Sequence, residues 1–276
     1  MTITEPAPAK INLALHIRRK RPDGYHDLET LFAFARDGDT VTIAKADEPS
    51  LTITGPFASS LSVGDDNLVN AAVAFFRTSF MVHGHQAVVL EKRLPIASGI
   101  GGGSADAAAT LRALARMYRR PLDHPILMQC AAALGADVPA CLLGRTAFAT
   151  GRGDELTALP PLGDLPLLLV NPGVPLSTAA MFAAWDGIDR GPVATDGAPL
   201  DRARQGRNDF TATAISAAPA VGDVLRLLAG APGCTFARLS GSGATCFGIF
   251  ADVATRDAAA ARARARGWWV LATAVV

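Results

Sequence analysis

The chain has 276 residues, of which 50% are hydrophobic and 18% charged, and its formal net charge is +1. This length allows a large core in one or two domains, and the composition excludes a disordered protein. The near-neutral charge gives no support to a nucleic-acid partner, and no apolar run is long enough to cross a bilayer. We therefore expect a globular protein with no nucleic-acid or membrane partner.

The cysteines and the N-terminus bear on the compartment. The four cysteines are far apart and lack the spacing of metal ligands: Cys130, Cys141, Cys234 and Cys246. Buried, reduced cysteines are typical of cytosolic proteins, and the N-terminus has no signal-peptide pattern. We expect a cytoplasmic location, without disulfides or a zinc site.

The first half of the chain predicts strands followed by helices. Apolar and polar residues alternate over residues 9–17, which is typical of a strand. Similar reasoning predicts strands at 40–44, 51–54 and 86–92, and helices at 68–80, 104–118 and 125–134. Gly135 ends the last of these helices.

The second half predicts a smaller α+β domain. Residues 151–164 are rich in Gly and Pro and predict a junction between domains 1–160 and 161–276. We expect a surface loop at 187–207. The other predicted elements are strand 165–170, helix 178–185, helix 220–228, strands 235–239 and 244–250, helix 253–266 and strand 268–275. This order suits a ferredoxin-like sandwich.

A glycine-rich loop between a predicted strand and a predicted helix is the most informative motif. Residues 95–105, which we call the glycine loop, read Pro-Ile-Ala-Ser-Gly-Ile-Gly-Gly-Gly-Ser-Ala. Glycines allow close approach of the backbone to an anion, and the helix N-terminus adds free N–H groups and positive charge. The loop lacks the lysine of a Walker motif and the spacing of a dinucleotide fingerprint. A phosphate cradle is favoured over a simple linker.

Two N-terminal segments carry candidate binding groups. Lys10 and Asn12 lie on one face of a predicted strand, where a lone lysine is most often simply solvated. A Pro-Asp-Gly turn then presents Tyr25 beside His26. This pair is either an incidental feature of a hairpin tip or a flat ring for stacking a base, next to a group that bonds its edge.

Two further segments have both a structural and a functional interpretation. Residues 240–243, Ser-Gly-Ser-Gly, form a turn or a support for the glycine loop. Asp137, followed by Val138-Pro139, is either the N-cap of a short helix or a carboxylate that takes a proton from a hydroxyl group. A nearby ammonium such as that of Lys10 would keep such a carboxylate ionised.

Together these segments, in this order, resemble the GHMP kinase family over essentially the whole chain. The Gly-Tyr-His element at residues 24–26 is the most specific part, because the glycine loop and the Ser-Gly-Ser-Gly turn are shared across the family. The resemblance implies an α+β two-domain fold, with an N-terminal ribosomal-protein-S5-like domain and a C-terminal ferredoxin-like domain.

The resemblance also implies a function. It implies ATP-dependent phosphorylation of the 2-hydroxyl group of a small substrate that carries cytidine diphosphate, in the non-mevalonate route to isoprenoids. The implied cofactors are ATP and Mg²⁺, and the implied assembly is a monomer or homodimer. The implied catalytic residues are Lys10 and Asp137, and Ser104 would lie near Mg²⁺.

The resemblance assigns further residues to the two ligands. Those matched to the cytidine substrate are Asn12, Tyr25, His26, Thr178, Phe182, Gly241 and Ser242. Those matched to ATP are Asn67, Lys92, Pro95, Ile96, Ala97, Ser98, Gly99, Ile100, Gly101, Gly102, Gly103, Ser104 and Ala105.

Departures from the family pattern leave this chemistry intact. Ala97 and Ser98 stand where many members have glycines, and Thr211 stands where an acidic residue is common. Asp154-Glu155 follows Gly151-Arg152-Gly153 with a one-residue shift. Two alternatives remain open: a GHMP kinase for a plain sugar or mevalonate, which has no need of Tyr25-His26, and a non-enzymatic binding protein, which would be expected to have lost Lys10 or Asp137.

Overall fold

The computed structural model describes residues 1–64 and 66–276, which form two compact units. The first unit comprises Met1–Ala9, Asp37–Ile96 and Gly101–Gly144, and the second comprises Lys10–Arg36, Ala97–Ile100 and Arg145–Val276. Two long N-terminal strands, β1 (Thr2–Lys20) and β2 (His26–Ala46), contribute residues to both units.

The first unit combines strand pairing with a group of helices. The second part of β2 pairs antiparallel with β4 (His85–Glu91), which pairs in parallel with β3 (Ser50–Thr54). A 3₁₀ helix covers Ala58–Ser60, and the helices are α1 (Leu68–Ser79), α2 (Gly102–Met117), α3 (Pro125–Leu134) and α4 (Val138–Leu143). Helix α2 packs on α1, α3 and α4. Its small alanines are fully buried there, which lets the helices approach closely.

The second unit contains a hairpin and a four-stranded sheet. The first part of β2 pairs with β5 (Ala147–Thr150), which forms a hairpin with β6 (Glu155–Ala158). The sheet strands are β7 (Pro166–Asn171), β8 (Cys234–Leu239), β9 (Cys246–Phe250) and β10 (Trp269–Ala274). The helices are α5 (Thr178–Ala183), α6 (Pro199–Gln205), α7 (Thr211–Ala217), α8 (Pro219–Ala229) and α9 (Val253–Arg264).

The four-stranded sheet has the topology that the sequence predicted. Its order is β10-β7-β9-β8, and all three neighbouring pairs are antiparallel. Helices α8 and α9 pack on the sheet, and the core between them includes Leu168, Val224, Phe250 and Ala260. This arrangement confirms the ferredoxin-like prediction for the end of the chain.

Several segments differ from the prediction, among them β5 and the first part of β2, which were not predicted. The expected loop at 187–207 contains α6, in which Arg202 and Ala203 are buried. This helix was not predicted because its sequence is polar and lacks the apolar periodicity of an amphipathic helix. The expected junction at 151–164 contains β6, and α7 was not predicted. The division into domains 1–160 and 161–276 stays a prediction, because packing into compact units is a different criterion.

Two further observations concern the cysteines and the lengths of the helices. Cys130, Cys141 and Cys246 are buried cysteines, and Cys234 is a half-buried one. Burial raises the pKa of the Cys234 thiol, so it resists ionisation. Among residues 1–64 and 66–276, no helix combines the length and apolarity needed to span a bilayer.

Candidate active site

Lys10 is buried on β1 in the second unit, with a fixed ammonium group. Its Nζ donates to Asn12 Oδ1 at 3.2 Å and lies 4.5 Å from the centroid of the Phe32 ring. Asn12 Nδ2 in turn donates to Thr30 Oγ1 at 2.8 Å. Lys10 is only 3% exposed, so it is not the solvated strand lysine of the alternative interpretation.

The second unit also brings the Ser-Gly-Ser-Gly turn against the glycine loop. The Ser240 hydroxyl donates to the Gly99 carbonyl at 2.9 Å and accepts the Asn12 N–H at 3.2 Å. Thr245 N–H donates to the Ser98 carbonyl at 3.1 Å, and Lys10 N–H donates to the Ile100 carbonyl at 2.9 Å. The turn therefore supports Gly99 of the glycine loop through a buried hydroxyl, and backbone bonds from Thr245 and Lys10 hold Ser98 and Ile100.

Gly99 leaves no room for a side chain at this contact. Its φ is +76°, and a Cβ would lie 2.4 Å from the Ser240 carbonyl oxygen.

We expect Gly187→Ala, at φ +79° in open space, to lower the free energy of unfolding by about 1 kcal/mol. Gly99→Ala is expected to lower it by roughly 1–3 kcal/mol more, because the overlap adds to the same backbone strain.

Urea denaturation of the two glycine variants measures both values. Equal losses of stability would show that the backbone around Gly99 yields easily and that the contact with Ser240 is weak. A larger loss of stability in Gly99→Ala than in Gly187→Ala would show that the turn holds the glycine loop rigidly.

Tyr25 and His26 lie at the tip of the β1–β2 hairpin. The turn closes with Arg21 N–H donating to the Tyr25 carbonyl at 2.8 Å, and Gly24 takes a φ of +86°. Tyr25 is 55% exposed, whereas His26 is 8% exposed. Burial lowers the pKa of His26, with a further contribution from Lys20, so its ring favours the neutral form.

An aromatic group encloses the His26 ring. Phe182 of α5 stacks on it with a centroid distance of 4.8 Å and an interplanar angle of 19°, and Trp185 meets it edge-on at 5.5 Å. Phe210 packs edge-on against Phe182 at 4.8 Å. The structure therefore brings together the predicted residues His26 and Phe182 and adds two aromatic residues to them.

Helix α5 also contacts the Ser-Gly-Ser-Gly turn. The hydroxyl groups of Thr178 and Ser242 are 2.8 Å apart, within hydrogen-bond distance. Gly241 has a φ of +53°, and a Cβ there would lie 2.8 Å from the Gly99 carbonyl oxygen. Thr178, Gly241 and Ser242 are thus linked to one another and to the glycine loop within the second unit.

The end of the glycine loop belongs to the first unit and leads into α2. Gly101 is the N-cap residue, in the left-handed conformation with φ 64° and ψ 24°. Gly102, Gly103 and Ser104 form the first turn, where backbone N–H groups lack intrahelical partners. Such a turn attracts anions, and the Ser104 hydroxyl is a neutral oxygen donor beside it.

Lys92 is enclosed by two carboxylates in the first unit. Its Nζ donates to Asp39 Oδ2 at 2.5 Å and to Asp106 Oδ2 at 2.6 Å, and its side chain is 2% exposed. Asp39 Oδ1 accepts the backbone N–H groups of Arg93 at 2.5 Å and Leu94 at 2.8 Å. This arrangement, which we call the Lys92 clamp, ties the strand before the glycine loop to the helix after it.

Burial and close contacts within the Lys92 clamp shift the pKa values of Asp106 and Lys92. Burial raises the pKa of Asp106 to about 7, although Lys92 acts in the opposite direction. Burial also acts to lower the pKa of Lys92, but the two carboxylates outweigh it and the pKa is raised. A Cβ on Gly102 would lie 3.0 Å from Lys92 Nζ, which places the ammonium directly beneath the first turn of α2.

Asn67 has a clear structural role. It is the N-cap of α1, with Oδ1 accepting Val69 N–H at 2.9 Å and Nδ2 donating to the Ser62 carbonyl at 2.8 Å. The Lys92 backbone is engaged as well, with Thr54 and Phe57. Contacts of Asn67 and Lys92 with ATP stay predictions, and their side chains already have structural partners.

Asp137 stands at the N-cap position of α4, as the structural interpretation required. Its side chain nevertheless makes no capping hydrogen bond to the described residues, and it is half-buried. Pro139 occupies the first turn, where its missing N–H has no cost. The carboxylate is therefore not used to cap the helix.

Sequence reasoning missed several residues that shape these sites. Ser240 was the first residue of a recognised motif, and its position between two glycine-rich segments was a usable signal. Trp185 follows Phe182 by one helical turn, a spacing that predicts a shared face. Asp39 and Asp106 gave no such signal, because they are distant from Lys92 along the chain.

Two family models match the chain. The GHMP kinases N terminal domain matches residues 67–145, and the GHMP kinases C terminal domain matches residues 196–267. A homoserine kinase structure from Cytophaga hutchinsonii shares the fold, with a TM-score of 0.73 at 16% identity over 100% of this chain and 97% of that one. At that identity the likeness concerns the fold alone.

Relatives with a higher sequence identity to this chain share one name. The 4-diphosphocytidyl-2-C-methyl-D-erythritol kinase of Rhizorhabdus wittichii is 52% identical over 97% of this chain and 93% of its own length. The enzyme of the same name from Sphingopyxis alaskensis is 47% identical over 99% of each chain. A crystal structure of 4-(cytidine 5'-diphospho)-2C-methyl-D-erythritol kinase matches with a TM-score of 0.84 at 32% identity, over 99% of each chain. Because these relatives and both domain models agree, the chain belongs to the GHMP kinase family.

Proposed function

We propose that the chain transfers a phosphoryl group from ATP to the 2-hydroxyl group of 4-diphosphocytidyl-2-C-methyl-D-erythritol, in the non-mevalonate isoprenoid pathway. The family membership supports the kinase activity, and the relatives with this name support the substrate. The observation that carries the proposal is the hairpin tip of the second unit, where an exposed tyrosine adjoins a buried histidine within an aromatic group.

The hairpin tip suits the cytosine ring. Tyr25 offers an exposed aromatic ring for stacking, and the neutral imidazole of His26 offers one donor and one acceptor. Phe182 and Trp185 hold that imidazole in place. A GHMP kinase for a plain sugar has no base to bind, so this group favours the cytidine substrate over the sugar alternative.

The glycine loop and α2 suit the phosphates of ATP. The helix N-terminus supplies N–H groups and positive potential, and glycines at 99 and 101 adopt left-handed conformations that let the backbone curve around an anion. When bound, Mg²⁺ would neutralise phosphate charge, with Ser104 as its protein oxygen. Kinase sites hold Mg²⁺ largely through the nucleotide phosphates, so a single hydroxyl group fits that chemistry.

Two residues carry the chemical roles. Asp137, a half-buried carboxylate, accepts the proton of the substrate's 2-hydroxyl group as that hydroxyl oxygen bonds to the γ-phosphorus of ATP and ADP leaves. Lys10 contributes a positive charge, oriented by Asn12, that offsets the negative charge developing in the transition state. Phosphoryl transfer depends mostly on positioning and charge stabilisation, which this set of groups provides.

The variant Tyr25→Ala tests the substrate assignment. Stacking on an aromatic ring is worth about 1–3 kcal/mol per base, so KM for the cytidine substrate should rise roughly ten- to a hundredfold. KM for ATP should stay nearly unchanged, and Tyr25→Phe should be mild because stacking needs the ring rather than the hydroxyl. Steady-state kinetics with each substrate varied in turn gives all four comparisons.

The alternative activities predict other kinetics. If Tyr25→Ala raised KM for ATP instead, or changed neither constant, the base would bind elsewhere and the plain-sugar kinase would be favoured. Inhibition of the reaction by CDP and CMP is expected for the cytidine substrate and not for a plain sugar, and a non-enzymatic binding protein would show no turnover to inhibit.

A further inference from the structure

We propose that Arg152 determines affinity for the cytosine ring by backing Tyr25 from the face opposite the base. This inference rests on the proposed function, because it needs a base at Tyr25. Arg152 lies in a segment that departs from the family pattern and that the proposed chemistry does not use.

The contact itself is a cation–π interaction within the second unit. The guanidinium carbon of Arg152 lies 5.0 Å from the centroid of the Tyr25 ring. Tyr25 is still 55% exposed, so the arginine covers one part of the ring and leaves surface for a planar ligand. A positive charge over one face of a tyrosine is attracted by its ring quadrupole and fixes its orientation.

The guanidinium group is held in place by Asp154. Its Nε and Nη2 donate to Asp154 Oδ2 at 3.2 and 2.9 Å, and the backbone N–H of Arg152 donates to Oδ1 at 3.0 Å. One carboxylate thus fixes both the backbone and the side chain of the arginine. A planar group held at several points loses little further entropy when it stacks.

The backbone places this arginine beside the hairpin tip. The turn at residues 151–154 joins β5 to β6, with Gly151 at φ +66° and Gly153 at φ +94°. Leu28 N–H, close to Tyr25 in sequence, donates to the Gly151 carbonyl at 2.7 Å. The two turns are therefore joined by a backbone hydrogen bond, and the Arg152–Tyr25 contact follows from the strand pairing.

The consequence is a stack of three planar groups: guanidinium, phenol ring and cytosine. Arg152 holds the Tyr25 ring in the orientation that the base needs, so less ordering remains for the substrate to impose. Its effect passes through the ring, which makes Arg152 a positioning residue. Arginine also binds phosphates directly, and that mode would act on the diphosphate instead.

A double-mutant cycle separates these two modes of action. Binding of cytidine and of CDP is measured by isothermal titration calorimetry for the wild type, Arg152→Ala, Tyr25→Ala and the double variant. We expect Arg152→Ala to weaken both ligands by a similar factor, about two- to fivefold. In the Tyr25→Ala background the same change should have no further effect.

Control variants address folding and charge. Arg226→Ala removes an arginine that pairs with Asp223 on the surface of α8, and it should leave both affinities unchanged. Asp154→Asn weakens the hold on the guanidinium and should reproduce part of the loss. The thermal midpoint of each variant shows that it is folded.

Three results would overturn the inference. The first is loss of CDP affinity without loss of cytidine affinity, which would mean direct contact with the diphosphate. The second is a full Arg152→Ala effect in the Tyr25→Ala background, and the third is no effect at all. If Tyr25→Ala itself left both ligands bound as tightly as in the wild type, the proposed base site would fail as well.

Discussion

Replacing Asp137 by asparagine is expected to lower kcat by about 10²–10⁴-fold, the usual contribution of a positioned general base. Asparagine keeps the shape of the side chain but does not accept a proton from a hydroxyl group. Both KM values should change little, because the carboxylate acts on the proton in transit rather than on binding. Steady-state kinetics measures kcat, and calorimetry with CDP and a non-hydrolysable ATP analogue measures binding.

The competing role for Asp137 is that of a helix cap. The structure places it at the N-cap of α4, but none of the described backbone N–H groups donates a capping hydrogen bond to its side chain. Loss of a true cap typically costs about 1 kcal/mol of stability and would leave the chemistry intact. A general base therefore predicts a loss of turnover in the variant, whereas a helix cap predicts a loss of stability.

Serine at position 137 separates the roles. Serine is among the best N-cap residues, so Asp137→Ser should fold as well as the wild type and still lose turnover. Asp123→Asn removes an exposed carboxylate ahead of α3 and serves as the matched control, with kcat expected within a factor of two of wild type. Near-normal turnover in Asp137→Asn would mean that another group takes the proton.

Local patterns in the sequence predicted most of the elements. Helix α3 runs over Pro125–Leu134, the predicted range, because a proline at its start and Gly135 at its end are strong local signals. The ferredoxin-like sheet was predictable from the order of its strands and helices. Helix α6 was not, since Pro199 and Asp201 mark its start but its polar sequence lacks an apolar period.

The candidate sites were predictable where a motif contained them. The glycine loop, the hairpin tip and the Ser-Gly-Ser-Gly turn each have a compact sequence signature. The partners of these motifs come from distant segments: Arg152 meets Tyr25, and Asp39 meets Lys92. Such pairs depend on strand register and helix packing, which a single sequence does not encode locally.

Lys92 shows the difference between matching a position and knowing its environment. The family pattern assigned it to the adenine, whereas the structure encloses its ammonium between Asp39 and Asp106. Lys92, which follows β4, and Asp106 of α2 approach each other because the chain reverses direction between them. The proposed contact of Lys92 with ATP is separate from its observed structural role. Measurements of stability test the structural role directly.

Lys92→Met is expected to lower the free energy of unfolding by about 3–5 kcal/mol, because it leaves two buried carboxylates without their shared cation. The side chains of Lys92, Asp39 and Asp106 are all at most 3% exposed, so solvent does little to screen them. Asp106 Oδ1 already has no hydrogen-bond partner among the described residues, which leaves Lys92 as the main compensation for that carboxylate. Methionine matches the volume of lysine and keeps packing nearly constant.

Urea denaturation of Lys92→Met, Lys45→Met and the double variant Lys92→Met/Asp106→Asn measures this clamp. Lys45 is exposed on β2, so its replacement should change stability by no more than about 0.5 kcal/mol. The double variant should recover part of the loss, because asparagine removes one buried charge while Asp39 keeps its two backbone N–H donors. Recovery of stability in the double variant would show that the loss in Lys92→Met comes from buried charge rather than from packing. A Lys92→Met variant as stable as Lys45→Met would instead show that the carboxylates take up protons and need no cation.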